Sequence, residues 1–152
     1  MRLEGFLDLM NQSFPEITVN LEYFDTKLQA EEKDNQILNL VRNYQNKVQA
    51  MYLIPAFNTD FLHALDAAGV HDTITVLHDL DSAALYHLKT RLLSAVIDQS
   101  PTLQGYYTVM ALEKILESKQ PADLPLIQID HNLVLTENRN LIHGLSAARL
   151  MS

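Results

Sequence analysis

The sequence predicts an α/β fold with three layers, α/β/α, around a mainly parallel sheet. Short runs rich in apolar and β-branched residues alternate with segments whose apolar residues recur at helical spacing, which is the pattern of consecutive βαβ units. Right-handed crossovers between parallel strands place helices on both faces of such a sheet. The length of 152 residues, 47% of them apolar, favours one folded domain and excludes a disordered tail.

The first half of the chain is predicted to contain two helices and two strands. An apolar stripe at helical spacing predicts a helix over residues 2–13. Residues 17–24 alternate in polarity and are rich in β-branched residues, which suits a strand. Asp25 or Thr26 is expected to cap a second helix. The nearly continuous apolar run 48–54 is typical of a strand buried on both faces.

The second half repeats this alternation of helices and strands. Three helices are expected to begin at polar residues suited to N-caps, namely Asn58, Asp81 and Ser100. Gly69 is expected to close the first of these helices, and the last is expected to run to about Ser118. Further strands are predicted at residues 73–77, 94–98, 126–129 and 134–135.

Charge and cysteine content exclude several functions. The chain carries 19 Asp and Glu against 11 Lys and Arg, a formal net charge of -8. Surfaces that follow nucleic-acid phosphates need clustered cations, so this chain is not expected to bind nucleic acid directly. The absence of cysteine excludes disulfides and cysteine-ligated zinc and fits a reducing compartment. No apolar run approaches the roughly 20 residues that span a bilayer, and residues 1–6 lack the plan of a signal peptide, so no membrane partner is expected.

The motifs predict no catalytic, metal or cofactor site. The six histidines form no HExxH motif and no pair at i, i+4 on one predicted helix, so a zinc site is not expected. The chain has 4 glycines and no nucleophile elbow, P-loop or dinucleotide fingerprint. We therefore expect a protein that is not an enzyme and needs no cofactor.

A receiver-like signalling domain is an alternative, in which Asp79 after a buried strand would accept a phosphoryl group. That chemistry needs further acidic residues near an early strand to hold Mg²⁺ and a lysine near a later one. A single acidic residue, Asp25, follows Phe24, and no lysine follows Asp98 directly. The sequence therefore disfavours this alternative.

Polar and aromatic side chains are predicted to meet at one edge of the sheet. Ligands of open α/β sheets bind outside the carboxyl ends of the strands, where the sequence places Phe24, Asn58, Asp79 and Gln99, with Arg2 in the first helix. Singly, each has a structural explanation as a core, cap, loop or surface residue. Together they predict one rim for a sugar-like ligand, whose apolar face stacks on a ring and whose hydroxyls need donors and acceptors.

Several segments resemble LacI/GalR-type transcriptional regulators. The strongest is Ala95-Val96-Ile97-Asp98-Gln99-Ser100-Pro101, followed by Gln104-Gly105-Tyr106. Other segments resemble parts of those regulators in the same order, at residues 2–6, 58–69, 75–79 and 134–138. The resemblance extends from residue 2 to about residue 142.

This resemblance implies one lobe of a type 1 periplasmic-binding-protein-like effector domain, in which two lobes close on a small ligand, usually a sugar or nucleobase. By position, Arg2 would hold ligand hydroxyls or a carboxylate, Phe24 would stack on the ligand, and Asp79 would accept hydroxyl protons. Gln99 would lie at the crossover between the lobes, and Asn58 completes the expected ligand-binding set.

The same resemblance implies that the chain is part of a longer, cytoplasmic protein. Residues 1–98 and about 126–142 would form the carboxy-terminal lobe, and residues 99–120 a crossover and helix that belong to the other lobe. The expected function is the ligand-sensing part of a regulator that contacts DNA only through an amino-terminal helix-turn-helix outside this chain. A homodimer or other homo-oligomer is expected. The helix at 101–118 is expected to fold back on its own chain, to swap with a neighbouring chain or to dock in the oligomer. The alternative within the fold is a periplasmic sugar-binding protein of a transporter.

Overall fold

The structure is a computed structural model that describes residues 2–25, 27–54, 58–118 and 127–139. Within these ranges the elements follow one another as α1 Arg2–Ser13, α2 Ala30–Tyr44, β1 Ala50–Leu53, α3 Asn58–Ala67, β2 Ile74–His78, α4 Ser82–Lys89, β3 Ala95–Asp98, α5 Pro101–Ser118 and β4 Asn132–Val134.

The four strands form one sheet in the order β1-β2-β3-β4. β1 pairs with β2 and β2 with β3 in parallel, whereas β4 returns antiparallel to β3. The register places Leu53 beside Leu77 and His78 beside Ile97. The three parallel strands therefore end at the same edge of the sheet, as the predicted fold requires.

One face of the sheet, here called the α2–α4 face, carries the apolar core. Ile37 and Val41, one turn apart on α2, pack with Leu65 of α3 in one buried cluster. A second cluster joins α3, α4 and strands β2 to β4 through Leu62, Leu77, Ala84, Leu88, Leu93, Val96 and Val134. Because the parallel strands neighbour one another in chain order, right-handed crossovers put both α3 and α4 on this one face.

The opposite face, here called the α1 face, carries the first helix. Successive side chains of a strand point to opposite faces, so Tyr52 lies on the other side of β1 from Leu53. The ring of Phe6 on α1 packs against that of Tyr52, with 4.9 Å between ring centroids. The predicted stripe Leu3, Phe6, Leu7 and Met10 is half-buried, and no residue of α1 is buried. Helices on both faces confirm the three-layer α/β/α class.

The start of α4 and the end of α3 follow the predicted signals. Asp81 caps α4, since its carboxylate accepts a hydrogen bond from the Ala84 backbone amide at 2.7 Å. Gly69 has φ +66°, a left-handed conformation that suits glycine after a helix. The Val70 amide there donates to the Leu65 carbonyl at 3.0 Å, which closes α3.

The strand predicted at residues 17–24 is wrong, because this segment contains no strand. Its alternating pattern favours extended backbone, but a strand also needs a neighbour to pair with. In the described sheet β1 is an edge strand and its one partner is β2. The segment instead exposes Ile17, Leu21 and Tyr23 and brings Phe24 to the α2–α4 core.

Three smaller predictions also need correction. β1 is not buried on both faces, because it lies at the sheet edge and its residues are exposed or half-buried. α2 begins at Ala30 rather than at a cap on Asp25, whose carboxylate accepts the Lys27 amide in a local turn at 2.9 Å; Thr26 lies outside the described residues. Residues 127–129 form no strand, and residue 126 is not described.

Candidate functional site

The carboxyl ends of the three parallel strands bring together the loops that carry the predicted site residues. Asn58 begins α3 a few residues after β1, Asp79 directly follows β2, and Gln99 directly follows β3. Arg2 begins α1 on the other face. The described chain therefore reaches this edge from four separate points.

Arg2, Gln99 and Asp79 are joined side chain to side chain. The Nη2 of Arg2 donates to Gln99 Oε1 at 2.5 Å, across 97 residues of sequence. The Nε2 of Gln99 in turn donates to an oxygen of the Asp79 carboxylate. Arg2 and Asp79 are exposed and Gln99 is half-buried. We call these three residues the rim network.

The backbone around the rim network takes an uncommon conformation. Asp79 has φ +70° and Ser100 has φ +53°, values that L-residues other than Asn and Asp adopt rarely. The Asp79 amide donates to the Ile97 carbonyl at 3.0 Å, which extends the β2–β3 pairing into the loop. Left-handed residues of this kind cost energy and are found preferentially at functional sites.

The loop that carries Gln99 is held by two further hydrogen bonds. The backbone carbonyl of Gln99 accepts from Gln104 Nε2 at 2.8 Å. The next residue, Ser100, accepts from Asn132 Nδ2 through its hydroxyl at 3.1 Å. The segment after β3 is thus tied both to α5 and to β4.

Asn58 lies beside the rim network without joining its side-chain hydrogen bonds. Its Nδ2 donates to the backbone carbonyl of His78 at 2.8 Å, the residue directly before Asp79. This hydrogen bond links the start of α3 to the end of β2. Asn58 itself is half-buried.

Phe24 takes no part in this network. Its ring packs edge-on against Phe61 of α3, with 5.2 Å between centroids and an interplanar angle of 85°. It contributes to the cluster of α2 and α3 on the α2–α4 face and is half-buried. Its position matches the core explanation, and its role as a ligand-stacking ring stays a prediction.

Sequence reasoning missed two residues beneath the rim network, Tyr52 and His78. The Tyr52 hydroxyl lies 2.5 Å from His78 Nε2, and the His78 side chain is 6% exposed. Burial raises the pKa of Tyr52, while the charge of Arg2 acts against this rise. The pKa of His78 is lowered first by burial and then by Arg2, with Asp79 opposing. The alternation of β1 and β2 could have indicated that both face away from the apolar core.

A concavity lies away from the strand ends. An open cleft of about 500 Å³ runs between α2 and the segment before it, lined among others by Glu22, Asn39 and Tyr44. The Tyr44 hydroxyl donates to Glu22 there at 2.6 Å. None of the predicted site residues lines this cleft.

These features define an open α/β domain with polar side chains gathered where parallel strands end, which is where such sheets bind ligands. The sequence matches the family described as periplasmic binding protein domain over residues 1–120. The chain therefore belongs to the periplasmic binding protein domain family. A search of curated proteins finds no match.

Solved structures share the fold at low sequence identity. A solute binding protein of an ABC transporter from Agrobacterium vitis, with bound D-fucose, superposes with a TM-score of 0.79 at 18% identity, over 95% of this chain and 49% of that chain. A solute binding protein of a carbohydrate transporter from Agrobacterium radiobacter, in complex with D-arabinose, superposes with a TM-score of 0.76 at 17% identity, over 95% of this chain and 49% of that chain. A candidate LacI transcriptional regulator from Bacteroides fragilis superposes with a TM-score of 0.76 at 20% identity, over 92% of this chain and 47% of that chain. The chain thus spans about half the length of these proteins.

In the described part of the chain, no helix combines the length and apolarity needed to cross a membrane.

Proposed function

We propose that the chain is a non-catalytic, sugar-binding half of a ligand sensor, with its ligand held by Arg2, Asn58, Asp79 and Gln99. The observation that carries the proposal is the rim network, which joins a guanidinium, an amide and a carboxylate at the carboxyl edge of the sheet. A sugar hydroxyl both donates and accepts hydrogen bonds, and this set supplies both partners. Sugars are also the bound molecules in two of the similar structures.

The proposed roles follow the chemistry of each side chain. The guanidinium of Arg2 offers donors only, the Asp79 carboxylate offers acceptors only, and the Gln99 and Asn58 amides offer both. In the structure Arg2 and Asp79 both form a hydrogen bond with Gln99. A sugar that bridges Arg2 and Asp79 would take over part of this hydrogen bonding, so the network is prearranged for a polar ligand. Phe24 is proposed to stack on the sugar with the part of its ring that Phe61 leaves uncovered.

The sensor is proposed to belong to a cytoplasmic LacI-type transcriptional regulator that binds DNA through a helix-turn-helix elsewhere in the protein. The segment from Ala95 to Pro101 supports this choice, as does the fold shared with the Bacteroides fragilis protein. The second candidate is a solute-binding protein of a sugar transporter, which the two Agrobacterium structures support. The full-length gene discriminates between them: a helix-turn-helix before this segment supports the regulator, and a secretion signal supports the transporter.

A homo-oligomer is proposed because α5 leaves much apolar surface open. Among the described side chains of α5 only Leu103 is buried, whereas Val109, Leu112 and Leu116 are 65%, 53% and 77% exposed. A contiguous apolar surface of this kind is typically covered by a partner. Light scattering on the chain is expected to show a dimer or larger assembly, and a monodisperse monomer would contradict the proposal.

The test of the sugar-binding proposal is a ligand screen on the full-length protein. Thermal-shift measurements with D-fucose, D-arabinose and other monosaccharides identify a binder, and calorimetry then measures its affinity. Arg2→Ala and Gln99→Ala are each expected to weaken binding by about tenfold or more, since they remove charged or bidentate hydrogen bonds. A sugar that binds both variants as tightly as the wild type would show that the rim network is not its site.

A further inference from the structure

The Tyr52–His78 pair has no part in the proposed ligand contacts, yet it connects to three of the four polar residues that make them. The Tyr52 hydroxyl and His78 Nε2 share one hydrogen bond on the α1 face. The other ring nitrogen of His78, Nδ1, is buried with no hydrogen-bond partner in the described chain. Among the described residues, the bond to Tyr52 is therefore the one hydrogen bond that orients this imidazole.

The first connection runs to Arg2 through the helix that carries it. Phe6 follows Arg2 by one helical turn and packs on the ring of Tyr52 at 4.9 Å. Since α1 has no buried residue, its position on the sheet depends on half-buried contacts such as this one. The orientation of the Tyr52 ring therefore affects where the guanidinium of Arg2 lies.

The other two connections run through the backbone of His78. Its carbonyl accepts the hydrogen bond from Asn58, and its carboxyl neighbour is Asp79, held at φ +70°. The side chain of His78 is 6% exposed and its ring lies 5.5 Å from that of Tyr52. A shift of this side chain would therefore move both Asn58 and Asp79 relative to Arg2.

We propose that Tyr52 and His78 are positioning residues, which hold α1 with Arg2 in register with the loops that carry Asn58 and Asp79. This inference rests on the proposed function for its effect on sugar affinity. The positioning itself is a property of the chain and is measurable without adding a sugar. Removing the shared hydrogen bond loosens α1 on the sheet while leaving the apolar core on the other face intact.

Hydrogen exchange followed by mass spectrometry on the full-length protein tests the positioning. Tyr52→Phe keeps the ring that contacts Phe6 and removes the hydroxyl, and His78→Phe removes the other partner. Both variants are expected to speed amide exchange in α1 about threefold to tenfold, as expected for the loss of one hydrogen bond. Exchange in β1, β2 and β3 is expected to stay within twofold of the wild type. His78→Gln, whose amide reaches the place of Nε2, is expected to restore the wild-type rate.

Tyr86→Phe is the matched control, because Tyr86 is 59% exposed on α4 and its ring contacts His87 rather than the rim. It is expected to change neither α1 exchange nor sugar affinity. Unchanged α1 exchange in Tyr52→Phe would overturn the inference. Equal acceleration in α1 and in the sheet would overturn it too, since that pattern marks a general loss of stability.

Sugar affinity supplies the second readout. Calorimetry with D-fucose and D-arabinose is expected to show about a tenfold loss of affinity for Tyr52→Phe and for His78→Phe, and wild-type affinity for His78→Gln. In the wild type, sugar affinity is also expected to fall at acidic pH. The reason is that Arg2 and His131 disfavour a protonated His78, whereas Asp79 favours it. His78→Gln is expected to remove this fall. If neither sugar binds the wild type, the proposed function loses its support, and the exchange rates still decide the positioning.

Discussion

The two faces of the sheet differ in how completely their side chains leave water. On the α2–α4 face Leu62, Leu65 and Leu88 are fully buried. On the α1 face the polar His78 is buried, but Phe6 and Tyr52 are half-buried and α1 has no buried residue. Apolar burial is the main stabilising term in folding, so the first face holds the domain together. The second face is free to carry polar groups at the strand ends, at a small cost in stability.

The largest expected effect is a difference between the two faces in how much a substitution lowers the free energy of unfolding. Leu65→Ala leaves a cavity on the α2–α4 face and is expected to lower the free energy of unfolding by about 2–5 kcal/mol. Leu7→Ala, on the half-buried stripe of α1, is expected to cost about 1 kcal/mol, because less apolar surface is lost from contact. Urea unfolding followed by circular dichroism measures both. Equal losses would mean that α1 is as much a part of the core as α3.

Asp79 and Asp81, two residues apart, allow the effect of a carboxylate on sugar binding to be tested with a matched pair of variants. Asp79→Asn removes the charge of a rim-network residue, keeps its shape and tolerates φ +70°. It is expected to weaken sugar affinity about tenfold, since hydrogen bonds to charged groups are the stronger ones, with little change in stability. Asp81→Asn is the matched control, because Asn is as good an N-cap as Asp. Calorimetry that finds the same affinity in both variants would remove Asp79 from the site.

For stability the expected order is reversed, because the larger effect is expected at Asp81 rather than at Asp79. Asp81→Ala removes the hydrogen bond to the Ala84 amide and is expected to lower the free energy of unfolding by about 0.5–2 kcal/mol. Sugar affinity is expected to stay the same, since Asp81 faces its own helix. Thermal unfolding and calorimetry on one preparation give both quantities. A loss of affinity here would place Asp81, and not only Asp79, at the ligand.

The sequence predicts what depends on neighbours in the chain. The cap at Asp81, the close of α3 at Gly69 and the placement of Asp79 and Gln99 at strand ends all follow from local preferences, and the structure confirms these positions. For the rim, the sequence predicts only a set of residues at one edge of the sheet. That Arg2 contacts Gln99 rather than solvent depends on how α1 docks, which no local pattern contains.

What the sequence could not predict depends on pairing between distant segments. Residues 17–24 have the composition of a strand, but a ladder partner is set by the whole sheet, and the described sheet ends at β1. The Tyr52–His78 hydrogen bond joins residues 26 apart and requires the register of β1 against β2. In the sequence Tyr52 lies inside an apolar run, and its chain neighbours indicate no hydrogen-bond partner for its hydroxyl.

The smallest expected effect is a pH dependence that both faces share. Burial lowers the pKa of His87 on α4, with Asp66 opposing and His63 adding to the shift, as burial also lowers the pKa of His78. A histidine whose pKa is lower in the folded chain binds protons more readily when unfolded, so protonation favours unfolding. The free energy of unfolding is therefore expected to fall as the pH drops below about 6.5, the ordinary histidine value.

Variants on each face apportion this pH dependence. His87→Gln and His78→Gln are each expected to flatten the decline in unfolding free energy between neutral and mildly acidic pH, measured by urea titration at several pH values. His71→Gln, at an exposed position, is the control and is expected to leave the slope as it is. Because His87 lies on the α2–α4 face and His78 on the α1 face, only His78→Gln is expected to change the pH dependence of sugar affinity as well. A change of that affinity profile in His87→Gln would mean that the two faces are coupled through the sheet.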